Sequence, residues 1–325
     1  MGVHIMQLTL GLDYSEMILQ RTIKKAATIS GIGLHSGARI TLKMRPATAN
    51  TGIIFYRTDG DQTVEIKACS ENVVDTRMAT VIGRQGVTIS TIEHFMAALA
   101  AFGVDNLHVE IDGPEVPVLD GSAAPFTREI QQAGIKTLNR CRKFIAIRKP
   151  LEIIEGEKRI NIIPSRFFRI SFDIAFDHQA ISVQHHSVKL STETFCKEIA
   201  SARTFGFLHE VEYLKANGLA RGGSLENAVV IDDKGVMNPE GLRFQDEFVR
   251  HKILDAVGDF SLLGAPILGH IRAFKAGHDL NAKMVKLIEE NPEHWTYVEF
   301  SEQALHEAQR AKVKVFATDL ALNKA

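Results

Sequence analysis

The stretch from Gln245 to Leu262 constrains the fold of this chain more than any other. It follows Pro239 and Gly241, and its apolar residues recur at helical spacing. Ile253, Leu254, Val257 and Phe260 fall on one side, which must be buried. His251, Lys252, Asp255 and Asp259 fall on the other, within an arc roughly 100° wide. Such a helix needs an apolar layer on one side and partners or water on the other. His and Asp at i and i+4 can reach one metal ion. On spacing alone a solvated polar face is the commoner arrangement, and both readings stand.

The rest of the chain supplies that apolar layer. Its 325 residues are enough for two domains at about 150 residues each, with sizeable cores. Arg39 to Met44 and Leu107 to Ile111 alternate as strands. Between them Ser90 to Phe102 reads as a helix, with Ser90 as N-cap and Glu93 completing a capping box. A loop built on Pro114, Pro117, Asp120-Gly121 and Pro125 leads to a second helix ending near Gly134. From Lys143 the pattern restarts. Phe144–Ile147, Leu151–Ile154, Arg159–Ile163 and Arg169–Phe172 read as strands, and Thr192–Ala202 as a helix. A Gly222-Gly223 loop precedes a strand at Ala228–Ile231. After the Gln245–Leu262 helix come a strand at Gly269–Lys275 and a helix at Asn281–Asn291. The expected fold is α+β: two similar domains, each a sheet layered on helices. Residues 1–16 read as an extension, 17–140 as the first domain, and 141–325 as the second with a C-terminal tail.

Charge and cysteine usage narrow the function. Lys plus Arg is 38 and Asp plus Glu is 39, a net charge of -1, which argues against a dedicated nucleic-acid binder or an electrostatic membrane anchor. The longest apolar run, Phe95 to Val104, is too short to span a bilayer. The N-terminus lacks the order of a secretory signal, and Met6 breaks the myristoylation pattern. Cys69, Cys141 and Cys196 are odd in number and widely spaced, so a cytoplasmic, reducing location is expected.

Two further clusters could carry chemistry. Glu93 and His94 share a helix side with Ala97, Ala98 and Ala101, which leaves room for another surface to approach. A capping role for Glu93 is the simpler reading there. Gly277 before His278 allows a loop to present an imidazole, although a surface histidine at a glycine turn is commoner. Together the parts fit a zinc hydrolase. Two His and one Asp would hold the ion and leave a fourth position open, with a carboxylate as base and a histidine as acid, between the domains.

At these residues the sequence resembles the UDP-3-O-acyl-N-acetylglucosamine deacetylases, zinc enzymes of lipid A synthesis. The resemblance runs from about Met17 to about residue 300. It rests on Gly33-Leu34-His35-Ser36-Gly37, Ser90-Thr91-Ile92-Glu93-His94, Asp120-Gly121-Ser122-Ala123-Ala124-Pro125-Phe126, Ser201-Ala202-Arg203-Thr204-Phe205-Gly206-Phe207, His251-Lys252-Ile253-Leu254-Asp255 and Gly277-His278-Asp279-Leu280-Asn281. It implies a site at the domain junction, with Zn2+ on His94, His251 and Asp255, and displaces the capping-only reading of Glu93. It implies Glu93 as general base, His278 as catalytic histidine, and Thr204 and Lys252 beside the oxyanion and substrate. Asp259 is implied to orient His278. The implied substrate is a small molecule, the acylated UDP-N-acetylglucosamine. An apolar passage in the second domain would take its chain, with Lys252 near the diphosphate and Phe176-Asp177-His178 a candidate for the uridine end. A monomer with no nucleic-acid partner and no stable membrane insertion is expected. A zinc amidase for another N-acetylated sugar, or a silent nucleotide-sugar binder, would keep much of this set. Pure binding needs neither Glu93 nor His278.

Overall fold

The computed structural model describes residues 18–60 and 62–300, so the expected extension and the tail beyond residue 300 lie outside the described residues. The first half builds β1 (Leu19–Ile23), β2 (Ala27–Ile32), β3 (Arg39–Pro46), β4 (Ile53–Asp59), β5 (Gln62–Lys67), β6 (Val73–Asp75), β7 (Val81–Arg84) and β8 (Val87–Ile89). Then come α1 (Glu93–Phe102), β9 (Leu107–Ile111) and α2 (Ala124–Ala133). The alternation in β3 puts Ile40, Leu42 and Met44 inside. The main sheet runs β2-β3-β9-β4-β5, parallel only at β4–β9, and β6–β8 form a small separate sheet. Phe55 of β4 meets Phe95 of α1 edge to face, and Phe95 meets Phe126 of α2, so both helices lie on one face of this sheet.

The second half repeats the layering. After β10 (Ile135–Cys141), which pairs back on β1 of the first half, it contains β11 (Lys143–Ile147), β12 (Leu151–Glu155), β13 (Lys158–Pro164), β14 (Phe168–Ala175), β15 (Val183–Lys189), α3 (Thr192–Thr194), β16 (Phe205–Phe207), α4 (Leu208–Ala216), β17 (Val229–Asp232) and β18 (Gly235–Val236). It closes with α5 (Glu247–Ser261), β19 (Ile267–Phe274), α6 (His278–Glu290) and β20 (Trp295–Glu299). Its sheet runs β12-β13-β19-β11-β20, with β14 and β15 attached through β19. Helix α5 packs on β14 and β15 and, from the other side, on α1; α6 packs on α5 and on β12 and β13. The layers are therefore sheet, helices, helices, sheet, and α1 against α5 is the central contact. Nine residues of α1 are buried, from Glu93 to Leu99 and then Ala101 and Phe102.

Several local readings change. Ser90 does not cap α1. It sits in an extended bridge, its N–H on Pro114 O at 2.9 Å and its carbonyl taking Val116 N–H at 3.0 Å. Thr91 follows at a φ of 57°, and the helix starts only at Glu93, whose side chain points elsewhere. The Thr192–Ala202 helix is one turn of α3 followed by a π-turn over Phe195–Ile199. Helix α6 begins at His278 rather than Asn281, with Gly277 as its N-cap. Helix α4 carries no buried residue, so no apolar stripe marks it in the sequence.

Candidate metal and acid–base site

The site is assembled at the α1–α5 contact. Gly258 of α5 lies so close to α1 that a Cβ there would stand 2.1 Å from Glu93 O. This approach brings His94 beside His251, their rings edge to face at 4.9 Å. His94 Nε2 lies 3.5 Å and His251 Nε2 3.3 Å from Asp255 Oδ1. One ligand atom from each of the three can be chosen so that all lie within 4.8 Å of one another, and all three residues are buried.

A divalent cation fits this group on its own chemistry. His251 Nδ1 faces Ala202 O at 3.0 Å. A carbonyl only accepts, so Nδ1 carries the proton and Nε2 presents its lone pair to Asp255. Burial lowers the His251 pKa to about 3 and keeps the imidazole neutral. Asp255 Oδ1 is buried with no hydrogen-bond partner. A lone pair and an anionic oxygen facing each other at a buried position call for a cation between them. The other oxygen, Asp255 Oδ2, takes Lys252 Nζ at 2.9 Å. Burial would raise the Asp255 pKa, but His251 and Lys252 outweigh it and hold it well below the usual carboxylate value.

Glu93 and His278, the candidate acid–base groups, flank the candidate ligands. Glu93, 3% exposed, accepts Thr80 N–H on Oε2 at 3.0 Å, and burial raises its pKa. His278 Nε2 faces Glu93 Oε1 at 3.9 Å and Asp255 Oδ2 at 3.8 Å. Its Nδ1 donates to Asp259 Oδ2 at 2.9 Å, which also accepts Asn281 Nδ2 at 2.8 Å. Burial would lower the His278 pKa, but Asp259 and Glu93 lift it to about 10.

A cavity of about 320 Å³ is lined by Glu93, His94, Thr204, His251, Lys252, Asp255 and His278. Asp259 stands behind His278 rather than on the cavity wall. Thr204 is fixed by its N–H on Gly121 O and its carbonyl on Val229 N–H, both 2.8 Å. His35 also lines the cavity, whereas Phe176, Asp177 and His178 do not. Phe176 packs on Phe205 and Phe207, and His178 Nε2 bonds Asp232 O at 2.9 Å.

Sequence reasoning missed the supports. Glu115, 1% exposed, accepts the N–H groups of His35 and Ser36 and the Thr91 hydroxyl. A lone carboxylate between Pro114 and Pro117 was its only signal. Arg203, 1% exposed, grips Glu247 of α5 through Nε at 2.9 Å and Nη2 at 3.2 Å, anchoring the segment that carries Thr204.

A family model described as LpxC: UDP-3-O-acyl N-acetylglycosamine deacetylase matches residues 20–290. The chain belongs to this deacetylase family. A relative in Syntrophotalea carbinolica, named UDP-3-O-acyl-N-acetylglucosamine deacetylase, is 64% identical over 290 residues, covering 89% of this chain and 94% of its own. Relatives of the same name in Geobacter sp. strain M21 and Haemophilus influenzae strain PittEE are 56% and 46% identical, with 89% and 88% of this chain and 95% of each relative covered. The three candidate ligands and both candidate acid–base groups fall inside the matched span. Among the described residues no helix is long and apolar enough to cross a membrane.

Proposed function

We propose that this chain hydrolyses the N-acetyl group of UDP-3-O-acyl-N-acetylglucosamine to acetate and the free amine, a step of lipid A synthesis. The observation that carries the reading is the convergence of Glu93 and His278 on one buried His-His-Asp group; a binding protein has no use for both. Two imidazoles and a carboxylate with a position left open are a catalytic zinc set, and we assign zinc to His94, His251 and Asp255. Such an ion would supply Lewis-acid polarisation of the attacking water and of the amide carbonyl.

The chain's own groups do the proton work. Glu93 takes the proton of the attacking water; its raised pKa makes it a stronger base than an exposed carboxylate. Thr204 offers its hydroxyl to the developing oxyanion, a contribution of about 10²–10³ in rate for such donors. His278, held protonated by Asp259, gives its proton to the departing amine nitrogen. Lys252 holds Asp255 and faces the cavity, where it also meets the anionic end of the substrate.

In this reading residues up to about 140 and those after it are two domains. It is supported by β1 pairing with β10, which closes the first unit with its own ends. The enzyme is read as a monomer acting in the cytoplasm, a reducing compartment with which the unpaired Cys69, Cys141 and Cys196 are in keeping. The test is acetate release from the acylated nucleotide sugar by purified protein, with and without a chelator. Turnover that stops with chelator and returns with zinc is expected. Turnover by metal-free protein, or none by the zinc-loaded protein, overturns the reading.

A further inference from the structure

Thr80 lies in the turn between β6 and β7. It is 2% exposed, yet its N–H and its hydroxyl face Glu93 and Asp259. Its N–H donates to Glu93 Oε2 at 3.0 Å. Its hydroxyl donates to Asp259 Oδ1 at 2.5 Å, while the other oxygen of that carboxylate takes the His278 Nδ1 proton. Its carbonyl accepts the N–H of Ile92, the residue before Glu93, at 3.4 Å.

Among the described residues, Thr80 alone hydrogen-bonds Asp259 Oδ1 and Glu93 Oε2, and these contacts fix the geometry of both carboxylates. The Asp259 carboxylate can turn about its own axis unless both oxygens are held. Asn281 holds Oδ2 and Thr80 holds Oδ1, so the carboxylate plane, and with it the His278 ring, is set. The same residue sets the Glu93 carboxylate through its backbone. Thr80 and Asp259 also line a second cavity of about 470 Å³ behind the site, beside Val73, Leu262 and Val285. Without the hydroxyl, Asp259 Oδ1 would face that space instead of a donor.

We propose that Thr80 is a positioning residue that holds the base Glu93 and the Asp259–His278 acid in register with each other; this rests on the deacetylase reading above. The competing account is that Thr80 merely fastens a turn to the two helices. The accounts differ in what happens when His278 is gone. A fastener matters equally with or without His278, whereas a residue acting through His278 loses its effect.

The experiment is steady-state acetate release by zinc-loaded full-length protein carrying Thr80→Val, Thr80→Ser, and Thr80→Val combined with His278→Ala. Thr80→Val keeps the shape and the N–H but removes the O–H. It is expected to lower kcat by about 10–100-fold, the size seen when the hydrogen-bonded support of a site residue is removed. KM should change by less than about twofold, and metal content should stay at the wild-type level. Thr80→Ser should recover most of that loss. In the His278→Ala background Thr80→Val should cost less than about threefold. Equal factors in the two backgrounds, or an unchanged kcat in Thr80→Val, overturn the proposal. Should Thr80→Val fail to fold, Thr80→Cys, of similar size and a weaker donor, takes its place. The proton resonance of His278 Nδ1 tests the geometry without substrate. It should shift in Thr80→Val and not in Thr80→Ser, and an unmoved signal in Thr80→Val also overturns the proposal. Absence of acetate release from the wild-type chain would instead count against the deacetylase reading.

Discussion

Glu93 and His94 are neighbours in sequence with separable duties, and substitutions can tell them apart. Glu93→Gln keeps the acceptor for Thr80 N–H while removing the carboxylate proposed as base. It should lower kcat by about 10²–10⁴-fold with zinc content and thermal midpoint nearly unchanged; a normal kcat would withdraw Glu93 as base. His94→Ala, His251→Ala and Asp255→Ala should each lower bound metal, measured by elemental analysis, because three ligands leave little redundancy. His278 adds a pH signature. Its folded pKa, about 10, stands above the ordinary 6.5. The ion pair with Asp259 therefore stabilises the fold fully below about pH 6.5 and fades as pH climbs toward 10. The catalytic sign is the same: the acid form is lost on the alkaline side. His278→Ala should change the alkaline limb of kcat/KM and leave the acidic limb, set by Glu93, in place. A profile identical to wild type would exclude His278 as the acid.

Helices α1 and α5 touch because of what one of them lacks. Gly258→Ala would place a methyl group 2.1 Å from Glu93 O, against backbone that cannot step aside as a side chain would. The helices must separate, at a cost of about 1–3 kcal/mol, and Glu93, the proposed base, moves with α1. A lower denaturant midpoint together with a lower kcat is expected; a loss of stability with full kcat would show that the spacing does not serve catalysis. The same elements show what the sequence made legible. Helix α5 was readable because its period, apolar face and His-Asp spacing are all local. The motif around Glu93 was readable by family likeness, but the start of α1 was misplaced. Ser90 bonds Pro114 and Val116, partners no local rule anticipates. His278 read as a loop residue because a Gly N-cap resembles a turn. Thr80 was unreadable, since its role arises only where it meets Asp259, 179 residues away. Helix α4 went unseen because it buries no face.

At the scale of the whole molecule, the glycine motifs of the first half are where the second half presses in. A Cβ on Gly121 would stand 2.0 Å from Asn227 O, and Gly121 has a φ of 81°, so no other residue suits it. Its carbonyl also holds Thr204. Gly121→Ala should destabilise the protein and lower kcat together, read by thermal melting and acetate release; an active, stable variant would show that this contact is dispensable. The α1–α5 layering has one more consequence, in the order of events during synthesis. Helix α1 is buried nearly all round, and the face bearing Ala97, Ala98 and Ala101 has no cover until α5 exists. At 5–20 residues per second the ribosome needs on the order of 10–30 s to make the intervening chain. For that interval the newly made helix holds an apolar flank without its partner helix, although Thr80, made before it, already supplies the N–H that Glu93 accepts. The central contact of the fold, α1 against α5, is therefore among the last to form as the chain is made.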